Sequence, residues 1–139
     1  MYKRQTKTVS FADAFPYLII GQSALNNLNK KLEYPVPMNR FRPNFVFTGG
    51  TPNEEDTWRK VKIGSAIFYG VKACARCQVP TIDQNTGQKS KEPTRTLAKY
   101  RRKNNKIYFG ENLIVDNFPQ TIHIGDSIEA LEISTGIMD

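Results

Sequence analysis

The first residues able to do chemistry are two thiols three positions apart, in Cys74-Ala75-Arg76-Cys77. The stretch continues Gln78-Val79-Pro80-Thr81-Ile82-Asp83, then Thr86-Gly87. Such a pair can close a redox disulfide, bind a soft metal, or supply one thiolate activated by a neighbouring cation. Arg76 is that cation and favours the thiolate form. The chain has two cysteines and one histidine, His123. A closed structural zinc site takes four Cys or His ligands and is therefore disfavoured, and His123 reads as an ordinary strand residue. A thioredoxin-type pair opens a helix, whereas this one follows an apolar strand and precedes Val79-Pro80, which discourages a helix. Thiol–disulfide exchange is thus the weaker reading. The bland reading is two half-buried cysteines acting as small hydrophobes.

The second constellation is Arg40-Phe41-Arg42-Pro43-Asn44. Pro43 stiffens the entry to a strand and fixes the directions of Arg42 and Asn44. A guanidinium binds phosphate or carboxylate through a fork, and an Asn amide both donates and accepts. Together they can read an anion and an amide.

These groups need elements to hold them. The pattern predicts a short strand over 17–20, then a helix capped by Ser23 that buries Leu25, Leu28 and Leu32 and ends within 33–37. Strands follow over 44–48 and 57–63, with Gly49-Gly50-Thr51-Pro52 as the turn between them. Further strands are expected at 66–71, 107–109, 113–116, 121–124 and 127–133, with Gly125-Asp126 joining the last two. Pro93 opens a second helix over 94–102 that buries Leu97 and Tyr100. Many short strands with Gly and Pro punctuation predict a barrel or a compact mixed sheet.

A length of 139 residues fits one domain, with ordinary globular proportions of apolar and charged residues. Residues 1–10 carry three basic side chains and little apolar content, and read as a flexible N-terminal segment or linker remnant before a domain over 11–139. No apolar run approaches the roughly 20 residues of a membrane helix, and no uninterrupted signal-peptide core follows the basic start. A cytoplasmic location is the default expectation. The net charge of +7 favours an anionic partner. The basic clusters at 3–7 and 99–106 are read first as solvated faces. A nucleic-acid-binding barrel using the basic stretch from Lys99 to Lys106 with Tyr100 and Tyr108 is the reading from another class, and no RNA-binding aromatic motif accompanies it.

At this point the chain resembles the MOSC domains of molybdenum cofactor sulfurases and of the amidoxime-reducing, YcbX-like proteins. The resemblance runs through Phe11-Ala12-Asp13 and Pro16, Leu25 with Leu28-Asn29, Arg40 to Asn44, and Glu55-Asp56-Thr57-Trp58. It continues through Cys74 to Asp83, Thr86-Gly87, Glu92-Pro93 with Leu97, Tyr100-Arg101-Arg102, Phe109-Gly110-Glu111-Asn112 and Gly125-Asp126. It implies a mainly β, barrel-like MOSC fold with two or three short flanking helices. It implies molybdenum cofactor (molybdopterin) as the bound group, Cys77 as the catalytic residue and molybdenum ligand, and Arg42, Asn44 and Arg76 as cofactor-binding residues. Cys74 is then a neighbour of the site. The expected activity is reduction of N-hydroxylated small molecules, with electrons from a separate donor protein. The rival within the family is a sulfur- or cofactor-carrier module, as in the sulfurases. Larger relatives carry a preceding β-rich domain that supplies part of the cofactor cleft, and such a domain or a partner is expected to complete the site. Position 75 is Ala where relatives often have a small hydroxyl residue, which removes one hydrogen bond to the cofactor.

Overall fold

The computed structural model describes residues 16–77, 85–87, 90–116 and 121–138. The expected flexible segment 1–10, the basic cluster 3–7, Phe11-Ala12-Asp13 and residues 78–83 lie outside the described residues. The chain runs β1 (Tyr17–Gly21), α1 (Gln22–Lys31), a 3-10 turn (Met38–Arg40), β2 (Phe45–Phe47), a second 3-10 turn (Glu54–Thr57) and β3 (Trp58–Ile63). It continues with β4 (Ala66–Ala75), α2 (Thr94–Tyr100), β5 (Arg102–Lys103), β6 (Lys106–Val115) and β7 (Ile128–Ile133). One curled, half-barrel sheet has the order β2-β1-β6-β4-β3-β7, and β5 pairs with β6. The mainly β, barrel-like architecture with short flanking helices is therefore observed.

The pair β1–β2 is parallel, with Ile19 opposite Phe45 and Gly21 opposite Phe47, and every other pairing is antiparallel. Parallel neighbours need a crossover, which α1 provides. Its buried face is Ala24, Leu25 and Leu28, and Lys30 and Lys31 sit in the last turn, where cations suit the helix dipole. Asn29 then clasps the chain that leaves the helix, donating to the Val36 carbonyl at 3.0 Å and accepting from the Val36 N–H at 2.9 Å. The expected Ser23 cap is corrected: the cap position is Gly21, because β1 leads straight into the helix, and Ser23 Oγ is buried with no hydrogen-bond partner among the described residues. Three other boundaries shift. The strand expected from 57 starts at Trp58, behind the 3-10 turn, and the helix expected to reach 102 stops at Tyr100 because Arg102 and Lys103 turn back to pair with β6. Residues 121–124 form no strand, and Ile124 stands in solvent.

The segments expected as separate strands at 107–109 and 113–116 are one strand, β6, and its irregularities organise the molecule. Where Ala73 and Ala75 of β4 face Glu111 and Tyr108, β6 carries one extra residue, a bulge at Phe109-Gly110 opposite Cys74. Where Gly70 and Lys72 face Leu113 and Asn112, the extra residue is Val71 on β4. A one-residue insertion reverses which face later side chains occupy. Phe109 and Leu113 are four apart, so an unbroken strand would put both on one face. Instead Phe109 packs in the helix-covered core with Ile20, Leu25, Leu28, Phe41 and Leu97. Leu113 packs inside the curl with Ile19, Phe47, Trp58, Val61 and Phe68.

Glycine permits this irregularity. Gly110 has φ +93, and a Cβ there would lie 2.8 Å from Leu18 Cδ1 and 2.9 Å from Ile20 Cγ1. Gly70 passes so close to the Trp58 carbonyl that any side chain would collide with backbone. Gly110→Ala is expected to cost more than about 2 kcal/mol, the sum of left-handed backbone strain and crowding in a closed core. Urea denaturation measures it, and a variant as stable as the parent would remove the bulge from its organising role.

Candidate functional site

The β4 bulge lengthens the strand past the predicted end at residue 71 and carries Cys74 within it, half-buried. Cys77 follows two residues beyond the strand end and is exposed, and Cys74 and Cys77 are not joined in a disulfide. Between them the Arg76 N–H donates to the Ile107 carbonyl at 2.7 Å, which extends the β4–β6 alignment by one step. The Arg76 side chain turns inward: Nη2 donates to the Phe41 carbonyl at 2.8 Å and Nη1 to Cys74 Sγ at 3.2 Å. Its guanidinium carbon lies 5.3 Å from the centre of the Phe41 ring. Phe41 is fully buried and stacks against Phe109 of the bulge, with centroids 4.6 Å apart.

Thus the two constellations singled out in the sequence meet at one place. Phe41 is the joint between them, and sequence reasoning passed over it as the apolar residue between two arginines. Immediately after it, Arg42 adopts φ +54 and is exposed, and its N–H donates to the Asn39 carbonyl at 3.3 Å. Asn44 opens β2 in a different capacity. Its N–H donates to the Leu18 carbonyl at 2.9 Å, and its Oδ1 accepts from the Leu18 N–H at 2.7 Å. The Asn44 amide oxygen therefore aligns the parallel pair β1–β2. Asn44 also lines a cavity of about 300 Å³ with Phe45, Ile63, His123, Asp126 and Ile128. His123 lies there on a turn, with its N–H donating to Asp126 Oδ2 at 2.8 Å, instead of on the expected strand.

The donor set fits a soft metal that brings most of its own ligands. An exposed thiol stands at a strand end, flanked by Arg76 and by the segment bearing exposed Arg42. Among the described residues no group of three or more His, Cys, Asp and Glu side chains is arranged to hold a metal ion by itself. Cys77 can contribute one thiolate and Arg42 a fork for an anion, donor types compatible with a soft metal and a phosphate. The neighbouring β5–β6 hairpin presents exposed Arg102, Lys103 and Lys106, so the surroundings of the site are cationic.

Behind this end of the sheet lies a buried charged cluster. Glu55, Asp56, Arg101 and Glu111 are buried, and Arg59 is partly so. Arg101 Nη2 donates to Asp56 Oδ2 at 2.6 Å and its Nε to the Tyr108 carbonyl at 2.9 Å, which ties the end of α2 to β6. Arg59 Nη1 donates to Glu111 Oε2 at 3.0 Å and to the Trp58 carbonyl at 2.7 Å. Glu55 Oε2 accepts from the Gly21 N–H at 3.1 Å. Loss of hydration dominates for both glutamates. Burial pushes Glu111 up to about 8 against the pull of Arg59, and Glu55 up to about 7 against the Gly21 N–H. Sequence reasoning used these acids only as marks of resemblance. An acid flanked by the apolar stretches Ile107–Phe109 and Leu113–Val115 of β6 was the available signal.

The MOSC domain family model matches residues 6–129. The chain belongs to the MOSC domain family. Two relatives define its neighbourhood. The molybdenum cofactor sulfurase of Oryza sativa subsp. japonica is 42% identical over 113 residues, covering 73% of this chain and 14% of that protein. The human mitochondrial amidoxime-reducing component 1 is 36% identical over 137 residues, covering 92% of this chain and 40% of that protein. This MOSC domain therefore spans well under half the length of either relative. Among its described residues no helix is long and apolar enough to cross a membrane.

The raised glutamates give the MOSC domain a testable pH dependence. In the folded state Glu111 keeps its proton to about 8, whereas a free carboxyl releases it near 4.5. The stabilising contribution is complete below the unfolded value and is lost as pH climbs from there to the folded one. Melting temperature is expected to fall as pH rises from about 5 to 8. Glu111→Gln, which mimics the protonated form, should flatten that slope. An unchanged slope would mean that Glu111 is ionised throughout.

Proposed function

We propose that this MOSC domain binds molybdenum cofactor and is the cofactor-holding part of an oxidoreductase that reduces N-hydroxylated compounds. The observation that carries the reading is the exposed Cys77 thiol at a strand end to which Arg76 also anchors the Arg42 segment. It is supported by the likeness to proteins named for molybdenum cofactor and for amidoxime reduction.

In this reading Cys77 supplies the protein's thiolate to molybdenum. Arg42 offers its fork to the pterin phosphate from a turn whose backbone aims it outward, and the Asn44 amide NH2 is available to the cofactor while its oxygen aligns β1. Arg76, adjacent in sequence to Cys77, would lend positive charge to the site from its inward-turned position. When bound, the cofactor supplies a two-electron redox centre. Reduction of an N-hydroxyl group consumes two electrons and two protons and releases water. The electrons come from a separate donor protein, and a further β-rich domain or partner completes the cleft. The same site also suits a sulfur- or cofactor-carrier role, which the likeness to the sulfurase favours.

The test is molybdenum and pterin content of the protein purified from cells that make the cofactor, for wild type, Cys77→Ser and Cys74→Ser. Molybdenum retained in wild type and Cys74→Ser and lost in Cys77→Ser is expected. Equal molybdenum in all three would end the ligand assignment. Reduction of a benzamidoxime by loaded protein with an artificial electron donor separates the reductase reading from the carrier reading, which predicts bound cofactor without turnover.

A further inference from the structure

We infer that Arg76 and Cys74 are positioning residues: the Arg76 guanidinium, oriented by Cys74 Sγ, locks the segment carrying Arg42 and Asn44 onto the strand end carrying Cys77. The inference rests on the reading that these residues serve one cofactor, and it assigns Cys74 a part that neither residue type nor spacing supplied.

The Arg76 fork is spent inside the protein. One Nη donates to the Phe41 carbonyl and the other to Cys74 Sγ, and the planar face covers the Phe41 ring. Nε is buried with no hydrogen-bond partner among the described residues, so the head is turned away from solvent. A cation placed to grip a ligand keeps its fork free, and this one holds backbone instead. The geometry needs arginine: two donors in a rigid plane reach two acceptors while the plane stacks on an aromatic ring, which a lysine ammonium cannot do.

What the fork holds is strained. Arg42 is a non-glycine residue in the left-handed region, a conformation that persists only where its surroundings fix it. Phe41 supplies that fixing on two sides, through its ring on Phe109 and its carbonyl on Arg76. Cys74 stands opposite the β6 bulge, where the extra residue brings Phe109 under Phe41. The bulge, the Phe41–Phe109 stack and the Arg76 fork thus form one chain of contacts from β6 to the Arg42 turn.

Backbone hydrogen exchange tests this on the protein as purified, with no cofactor needed. The reporters are the amides of Phe41 and Arg42, which donate to Met38 and Asn39 at 3.0 and 3.3 Å. Arg76→Met and Cys74→Val are expected to speed their exchange about tenfold or more while β1 and β6 amides keep their protection. Cys74→Ser, which retains an acceptor, restores the parent rates. In protein from cofactor-making cells, molybdenum content should fall with Arg76→Met and Cys74→Val and hold with Cys74→Ser. Unchanged exchange in Arg76→Met overturns the inference, as does Cys74→Ser behaving like Cys74→Val, or loss of protection spread evenly over the sheet. Wild-type protein devoid of molybdenum would overturn cofactor binding by this chain on its own and leave the exchange data to decide the tether.

Discussion

An extra residue in β6, at Phe109-Gly110 opposite Cys74, sets the side of the sheet on which everything around it packs. Because strand side chains alternate with period two, one inserted residue reverses the pattern and lets one strand serve two cores. On the near side of the bulge β6 gives Phe109 to the layer under the helices, and on the far side it gives Leu113 to the inside of the curl. The reversal also delivers Glu111 into the protein and Phe109 beneath Phe41, and the charged cluster and the candidate site both inherit their positions from it. Glycine at 110 is required because the chain there takes φ +93 against the β1 side chains.

The buried acids show how such a sheet end can be held without a wide apolar core. Three carboxylates, Glu55, Asp56 and Glu111, face two guanidiniums, Arg59 and Arg101, across the 3-10 turn, β3, β6 and the end of α2. Each guanidinium also donates to a backbone carbonyl, Arg59 to Trp58 and Arg101 to Tyr108, so the cluster ties backbone as well as side chains. Burial is the main cause that favours the protonated form of Glu55 and Glu111, against the pull of the neighbouring guanidiniums. Tyr108, whose carbonyl Arg101 grips, is paired with Ala75 next to the site. The cluster is thereby joined through Tyr108 to the end of β4.

The site itself divides labour between exposed and inward-facing groups. Cys77 and Arg42 face out, on a strand end and on a strained turn, where a ligand can reach them. Arg76, Phe41 and Cys74 face each other and set the spacing between those two. The MOSC family model spans both halves of this end, and the chain covers 14% and 40% of the two relatives' lengths.

Much was legible in the residues alone. Short strand-like runs with Gly and Pro punctuation located β1, β3, β4 and β7, the Leu25-Leu28 spacing located α1, and the Cys74–Cys77 and Arg40–Asn44 stretches marked both halves of the site. Local pattern suffices there because side-chain direction within one element follows from its own period. It failed where a neighbour decided the outcome. The union of 107–109 with 113–116 into β6 depends on pairing with β1 and β4 across Gly110, which no local rule encodes. Ser23 had the chemistry of a cap, but the β1–α1 junction put the cap at Gly21. Arg76 carried the right charge for an anion, and its fork was drawn inward by Phe41, a residue 35 positions away. Residue type determined what chemistry this chain can offer, and tertiary contact alone decided which groups face outward, because hydrogen bonds between distant segments outweigh the preferences of any one of them.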